Sequence, residues 1–218
     1  MKKLAIIFAA IAVLVSCTKS LELNTYEIYV YSLDEHLITS NGTNVSFSSR
    51  NPFVASVNET TGTVTALHVG ETYIDVVSDQ GSALLKVVVK PLYREITDPY
   101  LKWGATKQEV KDAVNKDVFE ESSTMITYLY GNANEGDTHV VTMYLFDKNN
   151  SLESVCIGTN NSHMLTTIKY LSERYMYYIE EDNVYFFGDS LNVEDASTTV
   201  VFMKMSNVWC AIYQPVTL

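Results

Sequence analysis

The feature that most constrains the fold is a series of short strand-like runs between residues 21 and 90. The runs recur about every 8 to 12 residues, a spacing typical of an all-β sandwich, and this part of the chain has no helical period. In the last run the period of two that is typical of a strand places Leu85, Val87 and Val89 on one face. The other face carries Leu84, Lys86, Val88 and Lys90. Three pairs of a polar residue followed by glycine supply turns: Asn41-Gly42, Thr61-Gly62 and Gln80-Gly81.

Three segments of this region, in order, resemble the bacterial Ig-like domain (group 2) family: residues 49–57 (SRNPFVASV), 61–67 (TGTVTAL) and 70–76 (GETYIDV). Phe47 stands where the family usually has Trp. The resemblance implies a non-catalytic spacer or adhesive module on a bacterial surface or envelope protein. Folding explains the motif residues, because Pro52 and Gly62 suit turns and the apolar positions suit the core. These core positions are Val54, Val57, Val64, Ile74 and Val76.

The connector at residues 91–99 has Pro at both ends and neither Gly nor Ser. This composition predicts a stiffer connection than a flexible linker. We therefore expect the two modules to keep a limited range of relative angles.

Residues 100–218 are predicted to form an α+β domain, so the chain as a whole is predicted to be multi-domain. Thr106 and Glu109 have the spacing of a capping box, and apolar residues follow at helical spacing: Val110, Ala113, Val114 and Val118. Three strand-like runs come next, and the same order of elements then repeats from Met164. We predict a tandem repeat of one helix plus three strands, with the strands pooled into one antiparallel sheet under the helices.

The order of elements in this region resembles the β-lactamase-inhibitor-like folds and the small lipoproteins of the outer-membrane barrel-assembly machinery. The segment 104–110 (GATKQEV) resembles the Gly-x-Thr/Ser-x-x-x-Val helix start of those proteins. This second resemblance depends on element order and one short motif.

The N-terminus has the layout of a secretory signal: two lysines, an uncharged apolar run from Leu4 to Val15 and a small residue. The run is too short to span a bilayer, which needs about 20 apolar residues. Residues 14–17 (LVSC) resemble the lipobox of bacterial lipoproteins. That resemblance implies a signal peptide at residues 1–16, cleavage before Cys17, and lipid on Cys17.

Residues 17–20 would then be a lipidated tether that connects the Ig-like region at 21–90 to the membrane. The alternative is an ordinary secretory signal in which Cys17 occurs by chance. We predict an outer-membrane location, although Thr18 and Lys19 give no strong sorting cue and leave the face of the membrane open.

Charge excludes some partners: the formal net charge is −11 and the sequence contains no phosphate-cradling glycine loop. An acidic surface repels nucleic acid, so we expect no DNA or RNA partner.

Of the three cysteines, Cys156 and Cys210 remain if Cys17 carries lipid. The sequence leaves open whether these two form a disulfide or are two small buried residues.

No catalytic or metal site is predicted, and no cofactor. The four histidines, at 36, 68, 139 and 163, lack metal-ligand spacing, and neither His nor Cys falls in a nucleophile motif. The acidic cluster 180–182 reads as a solvated turn, and residues 147–153 lack the central Gly and final Glu of a calcium loop.

Tyrosine is abundant, with 15 residues, and many fall in the C-terminal region. We expect most of them to line the helix–sheet interface, and we predict that a partner binds an uncovered face of the sheet. The candidate partner residues are Tyr100, Trp103, Tyr177 and Tyr185. The predicted function is therefore a non-catalytic, lipid-anchored envelope protein whose C-terminal domain binds a protein or glycan. The alternative is an adhesin or carbohydrate-binding protein that acts through the Ig-like module.

Overall fold

The computed structural model describes residues 20–130 and 140–216, and within them the chain forms fifteen strands and two α-helices. The first seven strands belong to the N-terminal module. They are β1 (Glu27–Tyr31), β2 (Glu35–Leu37), β3 (Ser46–Ser49), β4 (Ala55–Val57), β5 (Thr63–Ala66), β6 (Gly70–Ser78) and β7 (Gly81–Lys90).

These strands form two sheets that share one core. One sheet has the order β1-β7-β6-β3, in which β1 is parallel to β7, and the other has the order β2-β5-β4. Ile74 and Val76 of the first sheet and Val64 of the second belong to the same buried cluster. The sandwich predicted for residues 21–90 is therefore what the chain forms.

The turn glycine at position 62 is required on two grounds. Its φ is +72°, which glycine adopts freely, and a Cβ there would lie 2.7 Å from Cζ of Phe47. Phe47 itself is buried in the module's core. The predicted core positions Val54, Val64, Ile74 and Val76 are buried as well, and Val57 packs against them.

The C-terminal region contains both helices and the remaining strands. The elements are α1 (Lys107–Val114), β8 (Glu120–Glu121), β9 (Met125–Tyr130), β10 (Val140–Phe146), β11 (Leu152–Thr159), α2 (Met164–Ser172), β12 (Met176–Glu181), β13 (Val184–Gly188), β14 (Thr198–Met205) and β15 (Val208–Pro215). Short 3₁₀ segments occur at Asn161–His163 and Val193–Asp195.

The eight strands form one antiparallel sheet in the order β12-β13-β14-β15-β11-β10-β9-β8. Strands β8 to β11 follow α1, strands β12 to β15 follow α2, and the two groups meet where β11 pairs with β15. The repeat unit is thus a helix plus four strands, and the predicted count of three was wrong. The added strands, β8 and β12, are the two edge strands.

The predicted capping box begins α1. The Glu109 backbone N–H donates to Thr106 Oγ1 at 3.3 Å, and the Thr106 N–H donates to Glu109 Oε2 at 2.9 Å. Asn115 then ends the helix in the left-handed conformation, with φ of 46°. Residues before and after the helix are therefore sufficient to fix its ends.

Glu173, at the end of α2, joins the two modules. Its carboxylate accepts the backbone N–H of Leu92 at 2.9 Å and of Tyr93 at 3.0 Å, and its backbone carbonyl accepts the Val69 N–H of the Ig-like module at 2.6 Å. The residue is only 5% exposed. One buried glutamate therefore contacts the connector and the Ig-like module together.

A second group of contacts surrounds the end of the connector. Asp98 forms an ion pair with Arg174 and accepts a hydrogen bond from the Tyr170 hydroxyl at 2.7 Å. The Arg174 guanidinium lies 4.0 Å from the centre of the Tyr170 ring, and Ile96 is buried in the C-terminal core. Burial, together with the nearby Asp98 carboxylate, raises the pKa of Tyr170. The connector thus contacts the C-terminal domain at several points, through Leu92 and Tyr93 at its start and Ile96 and Asp98 towards its end.

None of the helices that the structure describes has the length and hydropathy needed to cross a membrane.

Candidate interaction surface

The eight-stranded sheet is covered by helices on one face. Val110 of α1 and Tyr170 and Leu171 of α2 belong to the same buried cluster as alternate residues of the strands. Those strand residues are Ile126, Tyr128, Tyr144, Phe146, Val155, Ile157, Val200, Phe202, Ala211 and Tyr213. Because successive side chains of a strand point to opposite faces, the intervening residues belong to the other face.

We call that other face of strands β9–β11 and β13–β15 the open face. Its apolar side chains on β10 and β14 are half-buried or exposed, whereas their neighbours on the helix side are buried. It consists of Met125, Thr127, Leu129, Val141, Met143, Leu145, Ser154, Cys156, Gly158, Val184, Phe186, Gly188, Thr199, Val201, Met203, Met205, Val208, Cys210, Ile212 and Gln214. A contiguous apolar surface of this kind marks an interaction site more often than a solvated surface.

The open face carries no charged residue, although the chain as a whole is strongly acidic. Acidic residues occur instead on the strands that border it. Glu120 of β8 is paired with Thr127, and Glu181 of β12 is paired with Val184, and both glutamates are exposed. The surface is therefore an uncharged apolar band with an acidic residue at each edge.

A groove of about 680 Å³ lies at the β12–β13 end of this face. Ile179, Phe186, Leu191 and Val193 supply its apolar wall, and Tyr178 packs tightly against Gly188, where a Cβ would lie 2.6 Å from the tyrosine ring. The Tyr178 hydroxyl donates to the Ser190 carbonyl at 2.8 Å, which fixes the ring. The lack of a side chain at Gly188 therefore leaves space for the Tyr178 ring, which forms one side of the groove.

Cys156 and Cys210 are both buried free thiols on the open face. They are on neighbouring strands but not opposite each other, because Cys156 pairs with Ile212 and Cys210 pairs with Gly158. Two causes raise the pKa of the Cys156 thiol: the larger is its interaction with Cys210, and the smaller is burial. Diagonal partners in a sheet have Cα atoms about 7–8 Å apart, beyond the usual 4.4–6.8 Å of a disulfide. The register thus favours two thiols at the pair for which the sequence left a disulfide open.

The four aromatic residues predicted as a partner surface lie away from the open face. Tyr100, Trp103 and Tyr185 pack against the helix-side core. Tyr177 is 44% exposed, and its ring contacts Phe187 of the same core. Trp103 Nε1 also donates to Thr198 Oγ1 at 3.1 Å. These positions therefore contribute chiefly to the helix–sheet interface, as was expected for most of the tyrosines.

Within the described residues, the histidines lie on different elements, and none belongs to a group that could hold a metal ion. His36 is on β2, His68 stacks on Phe53 with ring centres 4.1 Å apart, and His163 hydrogen-bonds to Ser162 and Asn160. Burial lowers the pKa of His68. His139 and the lipid-attachment residue Cys17 lie outside the described residues.

Sequence reasoning missed the residues of the open face, but the signal was present. The β10 sequence VVTMYLF and the β14 sequence TTVVFMKM are apolar at both odd and even positions. A strand with one solvated face alternates between apolar and polar residues. Apolar residues at both odd and even positions therefore indicate that both faces of this sheet carry apolar surface.

Three comparisons with known proteins bear on the chain. The family described as bacterial Ig-like domain (group 2) matches residues 29–89. No curated protein matches the sequence. Neither the lipoprotein assignment nor the β-lactamase-inhibitor-like resemblance of residues 100–218 receives support from these comparisons.

Two solved structures of the S-layer protein SbsC align with the chain. Domains 5–6 align over 91% of this chain and 84% of theirs, with 10% identity and a TM-score of 0.30. Domains 4–9 align over 91% of this chain and 27% of theirs, with 9% identity and a TM-score of 0.28. Scores this low carry no conclusion about this protein. The family match covers residues 29–89, and this part of the chain is therefore similar to the bacterial Ig-like domain (group 2) family.

Proposed function

We propose that this protein is a non-catalytic, lipid-anchored component of the bacterial cell envelope, in which the Ig-like module displays a C-terminal domain that binds another protein. The observation that carries the proposal is the open face, an apolar surface without charge on a chain whose net charge is −11. Burying such a surface against a partner is favourable by about 25 cal/mol per Å² of apolar area.

The chemistry of the open face favours a protein over a glycan. Sugar recognition needs many hydrogen-bonding groups and exposed aromatic rings, and Phe186 is the single aromatic residue of this face. The acidic residues Glu120 and Glu181 at its borders complement a partner with an apolar centre and basic flanks. The resemblance of residues 100–218 to β-lactamase-inhibitor-like folds is consistent with protein binding and stays a prediction.

The anchor is proposed from residues 14–17 (LVSC), as a lipobox ending at Cys17. Changing Cys17→Ser should move the protein from the membrane fraction to the soluble fraction of lysed cells, because the sole acyl attachment site is lost. Membrane association would be followed by fractionation, and the mass of the mature N-terminal peptide would report acylation. A Cys17→Ser protein that stays in the membrane fraction would contradict lipid anchoring. Changing Ser20→Ala, which leaves Cys17 intact, is the matched control.

One observation supports the alternative, an adhesin that acts through the Ig-like module. Tyr29, Tyr31 and Tyr73 are exposed on the outer face of the β1-β7-β6-β3 sheet. Exposed tyrosines suit both sugar stacking and protein contacts. This surface is charged as well, since Glu27, Glu71 and Lys86 form ion pairs beside it.

Site-specific photo-crosslinking in intact cells distinguishes the two surfaces. A benzophenone amino acid would replace Val201 on the open face, Tyr29 on the Ig-like module, or Leu165, which is 67% exposed on α2. We expect a discrete protein adduct from position 201 and none from positions 29 or 165. The adduct should disappear when Met143→Lys, a charge on the open face, is present in the same chain.

Each outcome decides between the proposals. An adduct from position 29 alone would transfer the binding role to the Ig-like module. Equal adducts from positions 201 and 165 would indicate random collision and would contradict a specific open face. Thermal unfolding of each variant would show that the substitution leaves the fold intact.

A further inference from the structure

Four sulfur-containing side chains lie side by side on the open face. Met143 of β10 is directly opposite Cys156 of β11, and Met203 of β14 is directly opposite Cys210 of β15. Since β11 and β15 are themselves neighbours, the four residues come from four consecutive strands of the sheet. Their order across the sheet is Met143, Cys156, Cys210, Met203.

The two thiols are brought together by the register of the central pair of strands. Cys156 and Cys210 are diagonal neighbours, and the position opposite Cys210 is Gly158, which has no side chain. Cys156 is the side chain of β11 on this face that is diagonal to Cys210, and the space over Gly158 is bordered by Val208 Cγ1, 3.4 Å from where a Cβ would lie. Directly opposed residues of a sheet have Cβ atoms about 4.5–5.5 Å apart, so each flexible methionine can place its thioether over the adjacent thiol.

Besides the four sulfur atoms, the surroundings of this cluster offer only neutral oxygen ligands, such as the hydroxyls of Thr127 and Ser154. The open face has no histidine, aspartate or glutamate. In the part of the chain that the structure describes, no three His, Cys, Asp or Glu side chains are grouped so as to hold a metal. Thiolate and thioether sulfur select Cu(I), whereas hard cations prefer oxygen ligands and zinc sites are completed by cysteine, histidine or carboxylate.

We propose that Met143, Cys156, Cys210 and Met203 form a binding site for a monovalent soft metal ion, Cu(I). The two thiols bind the ion as thiolates, and the two thioethers complete the coordination from the flanking strands. Binding replaces two thiol protons with one Cu⁺, so two protons are released to solvent and the site gains one negative charge. No electron is transferred. This proposal does not depend on the proposed protein partner, although the ion and the partner would contact the same face.

The half-buried state of Met143 and Met203 allows the ion to reach the thiols from solvent. The same side chains exclude bulk water from the bound ion once they close over it. The site therefore needs no opening of the sheet, and it is present in the folded, reduced protein.

The test is a competition experiment with the purified full-length protein, reduced and metal-free, under strict exclusion of oxygen. Cu(I) is supplied as its coloured complex with bicinchoninate, and removal of copper from that complex is measured by absorbance. We expect the protein to remove one Cu(I) per chain and to develop the near-ultraviolet absorption of a copper–thiolate bond. Zn²⁺ alone should neither bind nor reduce this uptake.

Variants identify the ligands. Cys156→Ser with Cys210→Ser should abolish uptake, and Met143→Leu with Met203→Leu, a change that conserves volume, should weaken it by about tenfold or more. Met205→Leu, on the same face at the end of β14, is the matched control and should leave uptake unchanged. Thermal unfolding identifies any variant that has lost its fold.

Three results would overturn the site: bicinchoninate keeps the copper in the presence of the wild-type protein, the double serine variant binds as well as wild type, or Met205→Leu weakens binding as much as the double leucine variant. The leucine variants retain both thiols, so they test the methionines even if the serine variant does not fold.

Discussion

Replacing Phe202 with Ala is expected to lower the free energy of unfolding of the C-terminal domain by about 3–5 kcal/mol. Phe202 is fully buried on the helix side of the sheet, and its ring lies 5.1 Å from that of Trp209 in a stacked arrangement and 6.0 Å from that of Tyr185. Removing the ring leaves a cavity that three strands would have to collapse to fill. Urea unfolding would be followed by tryptophan fluorescence, since Trp103 and Trp209 both lie in this domain.

The neighbouring residue provides the control. Val201 is next to Phe202 on β14 but belongs to the open face, where it is only half-buried. Val201→Ala should lower the free energy of unfolding by about 1 kcal/mol or less, because it removes less buried apolar area than Phe202→Ala does. If the two substitutions lower the free energy of unfolding equally, both faces of the sheet are covered. The open face would then not be available to a partner. Circular dichroism would confirm the unfolding midpoints independently of Trp209.

The Ig-like module could be predicted in detail because its signals are local. Turn pairs such as Thr61-Gly62 set the strand ends. The period of two along β7 placed Leu85, Val87 and Val89 on one face, and the structure shows that this is the buried face. Each inference needed only a few neighbouring residues. The capping box at Thr106 was predictable for the same reason.

The edge strands of the second sheet were missed because their patterns are irregular. Strand β8 has two residues, and β12 contains a register shift between Tyr177 and Ile179 that breaks the alternation. The acidic cluster 180–182 was interpreted as a turn, whereas Glu180 and Glu181 end β12 and only Asp182 begins the turn. A bulge moves side chains to the other face, so periodicity alone fails there.

The open face and the sulfur cluster depend on contacts between distant parts of the chain. Met143 and Cys156 are joined by a hairpin, but Cys210 reaches Cys156 only because β15 pairs with β11 across the middle of the sheet. Pairing between repeats leaves no local mark in the sequence. The predicted tandem repeat gave the order of the strands in each unit, but not that β11 and β15 are adjacent.

The role of Glu173 was equally out of reach, because its partners Leu92 and Tyr93 lie about eighty residues away. In the sequence, Glu173 and Arg174 resemble ordinary surface charges at the end of a helix. In the fold they are among the least exposed charged side chains of the described residues, and they face one another at 3.4 Å. We expect this junction to be the most sensitive polar site in the protein.

Changing Glu173→Ala should lower the free energy of unfolding by about 3–5 kcal/mol, as is typical when one member of a buried ion pair is removed. The change leaves two backbone N–H groups of the connector without their acceptor, and it leaves Arg174 buried beside the single carboxylate of Asp98. Tryptophan fluorescence in urea measures the loss, and protease cleavage within residues 91–99 should become faster because the connector is released.

Two further substitutions separate charge from packing at this junction. Glu173→Gln keeps the shape and one acceptor oxygen, so it should lose less stability than the alanine variant and keep part of the connector's protection. Glu181→Ala removes an exposed glutamate from the same half of the domain and should change neither quantity. If Glu173→Ala leaves both the midpoint and the cleavage rate unchanged, the modules do not depend on this residue. The limited range of angles predicted for the connector would then have to come from its two prolines and from its other contacts, the Asp98–Arg174 ion pair and the buried Ile96 side chain.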